Sequence, residues 1–167
     1  MTNNDIIRRI RYVLDLNDDK MIAIFKQVEQ TVSRAQISAW LKKEDDPDYH
    51  NCNDKQLAYF LNGLIIEKRG KKDGELPKTE NKLNNNLIFT KLKIAFNLKA
   101  EDVLDILLLA DLKISKHELS AFFRKTTHKH YRACKDQILR NFLMGLQLKY
   151  RPSSTESDAF DWPQATK

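Results

Sequence analysis

Shifted by 82 residues, the sequence falls on itself without a gap from Asn3 to Arg69. Asn3-Asn4 lands on Asn85-Asn86, Leu16 on Leu98, Ser33 on Ser115, and Ser38-Ala39 on Ser120-Ala121. Tyr49 meets Tyr131, Cys52 meets Cys134 and Asp54 meets Asp136. Phe60-Leu61 and Gly63-Leu64 meet Phe142-Leu143 and Gly145-Leu146. Roughly a quarter of the aligned pairs are identical and most others keep apolar against apolar, the signature of a duplicated structural unit. Whatever one copy folds into, the other must fold into as well.

Each copy reads as four helices. In the first, Ile6, Ile7, Ile10, Val13 and Leu14 recur at helical spacing over about Asn4 to Leu14. "LNDDKMIAIFKQV" follows, with Asn17 or Asp18 placed to cap it and acids in its opening turn, where the helix dipole favours them. Ser33 caps the third helix. The fourth begins at Asn53 or Asp54 and carries Leu57, Phe60, Leu61, Leu64 and Ile65 on one face. The second copy repeats the four as "NNLIFTKLKIAF", "KAEDVLDILLLADL", "SKHELSAFFRK" and "DQILRNFLMGLQLKY". No stretch alternates at period two, so the expected class is all-α, a tandem duplication of a four-helix unit. Gly63 and Gly145 sit at matching points inside the fourth helices, where glycine costs about 1 kcal/mol against alanine. A cost incurred twice implies a shared need, a close helix crossing with no room for a side chain.

The expected organisation is a first repeat over 1–69, a linker over 70–84, a second repeat over 85–151 and a flexible tail over 152–167. The linker, "GKKDGELPKTENKLN", is polar and carries two glycines and a proline. The tail, "PSSTESDAFDWPQATK", has no periodicity, although its Phe160 and Trp162 are of a type that docks.

Composition removes several function classes. With four glycines and four prolines in 167 residues, the composition argues against glycine-rich phosphate loops and turn-dense β architectures. The opening "MTNNDIIRRIRYV" has no signal-peptide core, and no apolar run reaches membrane-spanning length. Two cysteines without an export signal point to free thiols in a reducing cytoplasm.

The strings "NNDIIRRIRYVLDL", "VSRAQISAWLKKEDDPDY", "FLNGLIIEKRGKKDG" and "ISKHELSAFFRKTTHKHYRACKDQILRNFLMGLQL" closely resemble the bacterial YehS-like family, a domain of unknown function. The resemblance covers about Met1 to Arg151. It implies a cytoplasmic bacterial protein with a duplicated domain, and it brings no catalytic residues.

The second and third helices of each copy, "DDKMIAIFKQVEQTVSRAQISAWLKK" in the first, are similar in outline to a helix-turn-helix. Ile37 and Trp40 fall on the inward face that the motif requires. Its small residue and turn glycine would fall at Gln27 and Thr31, and in the second copy at Leu109 and Lys113. The match is therefore imperfect.

Charge separates the copies. The net charge of +6 is unevenly held: Asn3 to Arg69 has 11 Lys+Arg against 11 Asp+Glu, whereas Asn85 to Arg151 has 13 against 6. The segment after the third helix diverges most. The first copy reads "KKEDDPDYHNCND", with Glu44, Asp45, Asp46 and Asp48; the second reads "RKTTHKHYRACKD", with Arg124, Lys125, His128, Lys129, His130, Arg132 and Lys135. With Lys116 on the preceding helix, this basic run is the candidate nucleic-acid contact, able to neutralise several phosphates. The alternative is a protein-interaction or self-association module, in which the acidic loop of one copy engages the basic loop of the other.

Metal and catalysis find little support. His128, His130 and Cys134, with His117 a helix earlier, are capable ligands, but the HxH-x3-C spacing is not a zinc pattern. Cys52 and Cys134 suit small buried residues better than nucleophiles, and no Ser or Cys has a base and orienting group beside it. The expectation is a non-enzymatic cytoplasmic binding module with no catalytic residue, cofactor, metal or membrane partner.

Overall fold

The computed structural model describes residues 1–152; the tail expected beyond them, with Phe160 and Trp162, lies outside the described residues. Among these described residues eight helices follow in order: α1 (Asn3–Val13), α2 (Asp18–Lys26), α3 (Arg34–Leu41), α4 (Asp54–Arg69), α5 (Asn85–Ala95), α6 (Ala100–Leu109), α7 (Lys116–Phe122) and α8 (Asp136–Tyr150). Among the described residues there is no strand. The protein is all-α, four helices to a repeat.

Capping side chains set most of the starts. Asn17 accepts from the Lys20 amide, and Ser33 and Ser115 form reciprocal capping boxes with Gln36 and Glu118. Asn53 does the same with Gln56 at α4. Each such cap is worth about 1 kcal/mol.

The helix ends are also repeated. α1, α2, α5 and α6 each close with a six-to-one hydrogen bond over a left-handed residue. These are Leu16 N to Arg11 O over Asp15, Gln30 N to Phe25 O over Glu29, Leu98 N to Lys93 O over Asn97, and Leu112 N to Leu107 O over Asp111. Glycine usually occupies that place; here acidic residues and an asparagine do. The left-handed residue after α2 and α6 is thus Glu29 and Asp111, two positions before Thr31 and Lys113, where a helix-turn-helix would have its glycine. Seven residues, 27–33, separate α2 from α3, more than the three or four of that motif.

Each repeat has an aromatic centre, differently placed. In the first, Phe25 of α2 lies 5.6 Å from Trp40 and 5.8 Å from Phe60. In the second, the position of Phe25 holds Leu107, and Phe89 of α5 takes over, 4.6 Å from Phe142 and 4.9 Å from Phe123. Phe89 in turn aligns with Ile7. A large and a small residue have changed places across the core, the kind of volume-conserving swap that cores tolerate.

The glycines mark the tightest contacts. A Cβ added at Gly63 would lie 2.1 Å from the Ile24 carbonyl oxygen on α2, and one at Gly145 would lie 2.1 Å from the Ile106 carbonyl oxygen on α6. The repeated glycine is the close helix crossing that its repetition implied.

The two repeats are fused through a reciprocal seam. α4 packs on α5 and α8 packs on α1, so the last helix of each repeat covers the first helix of the other, in the manner of a two-fold interface. Asp54 of α4 accepts from Asn3 and from the Leu83 amide. The equivalent Asp136 of α8 accepts from Asn85 and pairs with the Met1 amine at 3.1 Å. Those bonds, the Asn85 bond first, hold the Asp136 carboxyl below its ordinary range. Lys91 of α5 reaches Asn62 of α4 at 2.6 Å and Glu80 of the 70–84 segment at 3.0 Å. Arg151 donates to the Tyr12 carbonyl at 2.7 Å and lies over its ring. Buried apolar residues of both repeats form one contiguous core.

Candidate nucleic-acid interface

α7 ends at Phe122, and Phe123 to Lys135 form the loop that leads into α8. Backbone bonds fold this loop as they fold its counterpart. His128 N donates to Lys125 O, Tyr131 N to His128 O and Arg132 N to Ala121 O; in the first repeat Asp46 N donates to Lys43 O, Tyr49 N to Asp46 O and His50 N to Ala39 O. One buried side chain pins each loop. Asn86 of α5 donates to the carbonyls of Phe122 and Arg132, at 3.0 and 2.8 Å, and accepts from the Cys134 amide at 2.8 Å. Asn4 makes the same three bonds, to Trp40, His50 and Cys52, and also accepts from the Tyr49 hydroxyl. These asparagines were visible in the sequence only as a matched pair. Their role follows once the loop carbonyls are seen to converge on them.

On this shared backbone the two loops carry opposite charge. Arg124, Lys125, His128, Lys129, His130, Arg132 and Lys135 are all exposed, and so are Glu44, Asp45 and Asp48, with Asp46 half-buried. Among the described residues no ion pair involves any of the five cations of the basic loop, and none joins the two loops. Lys116 differs from the rest. It pairs with Glu101 of α6 at 2.9 Å, as Arg34 pairs with Asp19 in the first repeat. Its hydrogen bond is the main cause holding the Glu101 carboxyl below its usual range. Of the sequence-predicted cations, Lys116 is therefore already engaged, and the loop carries the uncompensated charge.

Between α7 and the loop lies an open cleft of about 510 Å³, lined by His117, Glu118, Ala121, Phe122, Lys129, His130, Tyr131 and Arg132. Its counterpart in the first repeat is about 280 Å³ and lined by Ala35, Gln36, Ala39, Trp40, His50 and Gln56. The sequence contained the charge difference but not this cleft, because only the folded loop brings Lys129 and Arg132 beside α7.

Three histidines gather at the cleft rim. The His117 and His130 rings lie 6.1 Å apart between centroids, and those of His128 and His130 lie 5.5 Å apart. His128 Nδ1 accepts from the His130 amide at 3.0 Å. In the first repeat the Asp46 carboxylate accepts from the Asp48 amide at 2.9 Å. The imidazole thus replaces a carboxylate as the acceptor that closes the turn. Among the described residues no group of three His, Cys, Asp or Glu side chains is arranged to hold a metal ion.

The cysteines stand apart from any reactive site. Both are buried, and burial, helped by Asp54 and Asp136 respectively, pushes each thiol up to about 12. At neutral pH they are protonated, and a thiol rather than a thiolate is a poor nucleophile.

Fold and site together define a class: an all-α protein of two fused four-helix repeats, with an acidic loop in one and a basic loop at the same place in the other. The family described as "Protein of unknown function (DUF1456)" matches residues 3–70 and 85–151, once per repeat. The chain belongs to this family. It is 43% identical over 148 residues to the "Uncharacterized protein YehS" of Escherichia coli (strain K12), which covers 87% of this chain and 94% of that one. No solved structure matches. Among the described residues no helix is long and apolar enough to cross a membrane.

Proposed function

We propose that the chain is a non-enzymatic, nucleic-acid-associating module, regulatory in character, whose contact surface is the basic loop of the second repeat with α7 as its wall. The observation that carries this is the run from Arg124 to Lys135, in which five exposed cations stand with no acid among them and, among the described residues, no ion pair. Cations already bonded to carboxylates must break those bonds to meet phosphate; these need not. The longer α2–α3 and α6–α7 connections favour phosphate contact by the loop over insertion of α7 into the major groove.

The test is a salt titration of binding to random duplex DNA. Five phosphate contacts give a slope of log K against log salt of about −4.5. Reversing Arg124 and Lys125 to glutamate removes two contacts, so the slope should become shallower by about 2. Binding that is undetectable at about 50 mM salt, where counterion release favours association most, contradicts the reading.

A second reading is association between chains, favoured by the opposite charges of two exposed, equivalent loops that make no ion pair with each other in one chain. On that reading the mass in solution falls as salt rises. The Arg124→Glu/Lys125→Glu defect would then be rescued by Asp45→Lys/Asp46→Lys.

A further inference from the structure

Resting on the nucleic-acid reading, we infer that the α7 cleft is a pH-dependent phosphate site, in which His117 and His130 take up protons as a phosphodiester binds between them and Arg132. Histidine is the side chain that ordinarily changes charge between about pH 5 and 8. The chain has four, and three of them stand at this one rim. At the equivalent places the first repeat holds Ala35, Asp46 and Asp48, so the cluster belongs to the basic repeat and is no requirement of the fold.

The three histidines have separable parts. His128 Nδ1 is occupied as an acceptor from the His130 amide, so its neutral form carries the ring proton on Nε2. A second proton on Nδ1 would break the bond that closes the turn. That Nε2–H lies 3.4 Å from Arg124 Nη1, and because arginine only donates, two donors face one another. An anion oxygen set between them would accept from both. His128 therefore serves as a turn brace, with its Nε2 beside Arg124. His117 and His130 have no such constraint on their rings among the described bonds, and their 6.1 Å separation lets one phosphate group accept from each.

The surrounding charges point the same way. From the loop, Lys129 and Arg132 line the cleft and Arg124 lies beside His128, in a run with no acid from Arg124 to Lys135. On α7, the Glu118 carboxylate accepts from the Ser115 amide and Lys116 pairs with Glu101 of α6. At the start of α8, Asp136 is held by Asn85 and the Met1 amine. Among the cleft's lining residues Glu118 is the one carboxylate, against the cations Lys129 and Arg132, so an imidazolium there adds to a positive excess that a bound phosphate would offset. By linkage, a ligand that favours the protonated rings must bind more tightly as pH falls through the histidine range.

The experiment measures binding at constant salt from about pH 8 to about pH 5.5, using random duplex DNA and, separately, inorganic polyphosphate. For the intact chain, affinity for both probes should rise about tenfold or more across that range, two sites taking up at most one proton each. His117→Gln/His130→Gln should bind more weakly than the parent at about pH 5.5 and change less than about twofold on acidification. His128→Asn, which keeps an acceptor for the turn, and His50→Gln, in the first repeat, should retain the full rise. A flat profile in the parent, or a full rise in the double variant, overturns the inference and leaves the nucleic-acid reading standing. A pH-dependent polyphosphate response without DNA binding upholds the site and overturns the nucleic-acid reading. No binding of either probe overturns both.

Discussion

Replacing Gly145 or Gly63 by alanine is expected to destabilise the protein by about 3 kcal/mol, at the upper end of the cost of overpacking a core. The sign is informative, because the two relevant effects oppose each other. Within a helix, alanine is favoured over glycine by about 1 kcal/mol, so without the crossing either substitution would stabilise. The crossing reverses this. The new Cβ would sit 2.1 Å from a backbone carbonyl oxygen, of Ile106 for Gly145 and of Ile24 for Gly63. A backbone group inside a helix cannot swing aside as a long side chain can, so α8 must lift off α6, or α4 off α2. Urea unfolding measures the change through a lower midpoint at unchanged slope. A midpoint that stays level or rises would show that the helices separate freely.

The second large effect is expected at the asparagines under the loops. Asn86→Ala removes two donors and one acceptor at once, leaving the Phe122 and Arg132 carbonyls and the Cys134 amide without their partner. Each stranded buried group costs about 1–3 kcal/mol. Allowing for water at the carbonyl nearer the surface, the total should be about 3 kcal/mol. Asn4→Ala should cost at least as much, since Asn4 is 2% exposed against 8% for Asn86 and also loses the Tyr49 hydroxyl. The two substitutions differ in what else they change. Only Asn86→Ala frees the basic loop, so faster amide exchange at Arg132 and Cys134 should accompany weaker DNA binding. Asn4→Ala should loosen the acidic loop and leave DNA binding largely intact. Equal loss of DNA binding in both variants would mean that the loop has no special part in it.

Much of the architecture was legible because the chain states it twice. The 82-residue register paired Gly63 with Gly145, and a cost repeated at one place has few explanations besides a crossing. Ser33, Ser115, Asn17 and Asn53 were readable as caps because a short oxygen-bearing side chain ahead of an apolar period has one common use. The helix ends were less legible. Residues such as Asp15, Glu29, Asn97 and Asp111 take the left-handed turn where glycine would have announced it, which displaced the expected turn by two residues. The reciprocal seam was not legible at all. Asp54 meeting Leu83, and Asp136 meeting Met1, depend on which helix faces which, and hydrophobic period carries no such information.

For the site, the sequence held the charges but not their availability. Lys116 and Arg124 look alike in a string. The fold pairs Lys116 with Glu101 and leaves Arg124 in solvent beside His128. The role of Asn86 and the cleft between α7 and Lys129–Arg132 likewise arise from contacts between residues far apart in the chain.

The most direct test of the account is to exchange the loops on their common backbone. Residues 124–132 would be replaced by the sequence of 42–50, KKEDDPDYH, and DNA binding followed through a salt titration. Both segments make the same three backbone bonds and hang from equivalent asparagines, so the exchanged chain should fold. The exchanged chain should lose detectable binding to random duplex DNA at about 50 mM salt, where the parent binds with its steep salt dependence. A folded exchange variant that binds with the parent's affinity and slope would place the contact elsewhere on the molecule and contradict the account.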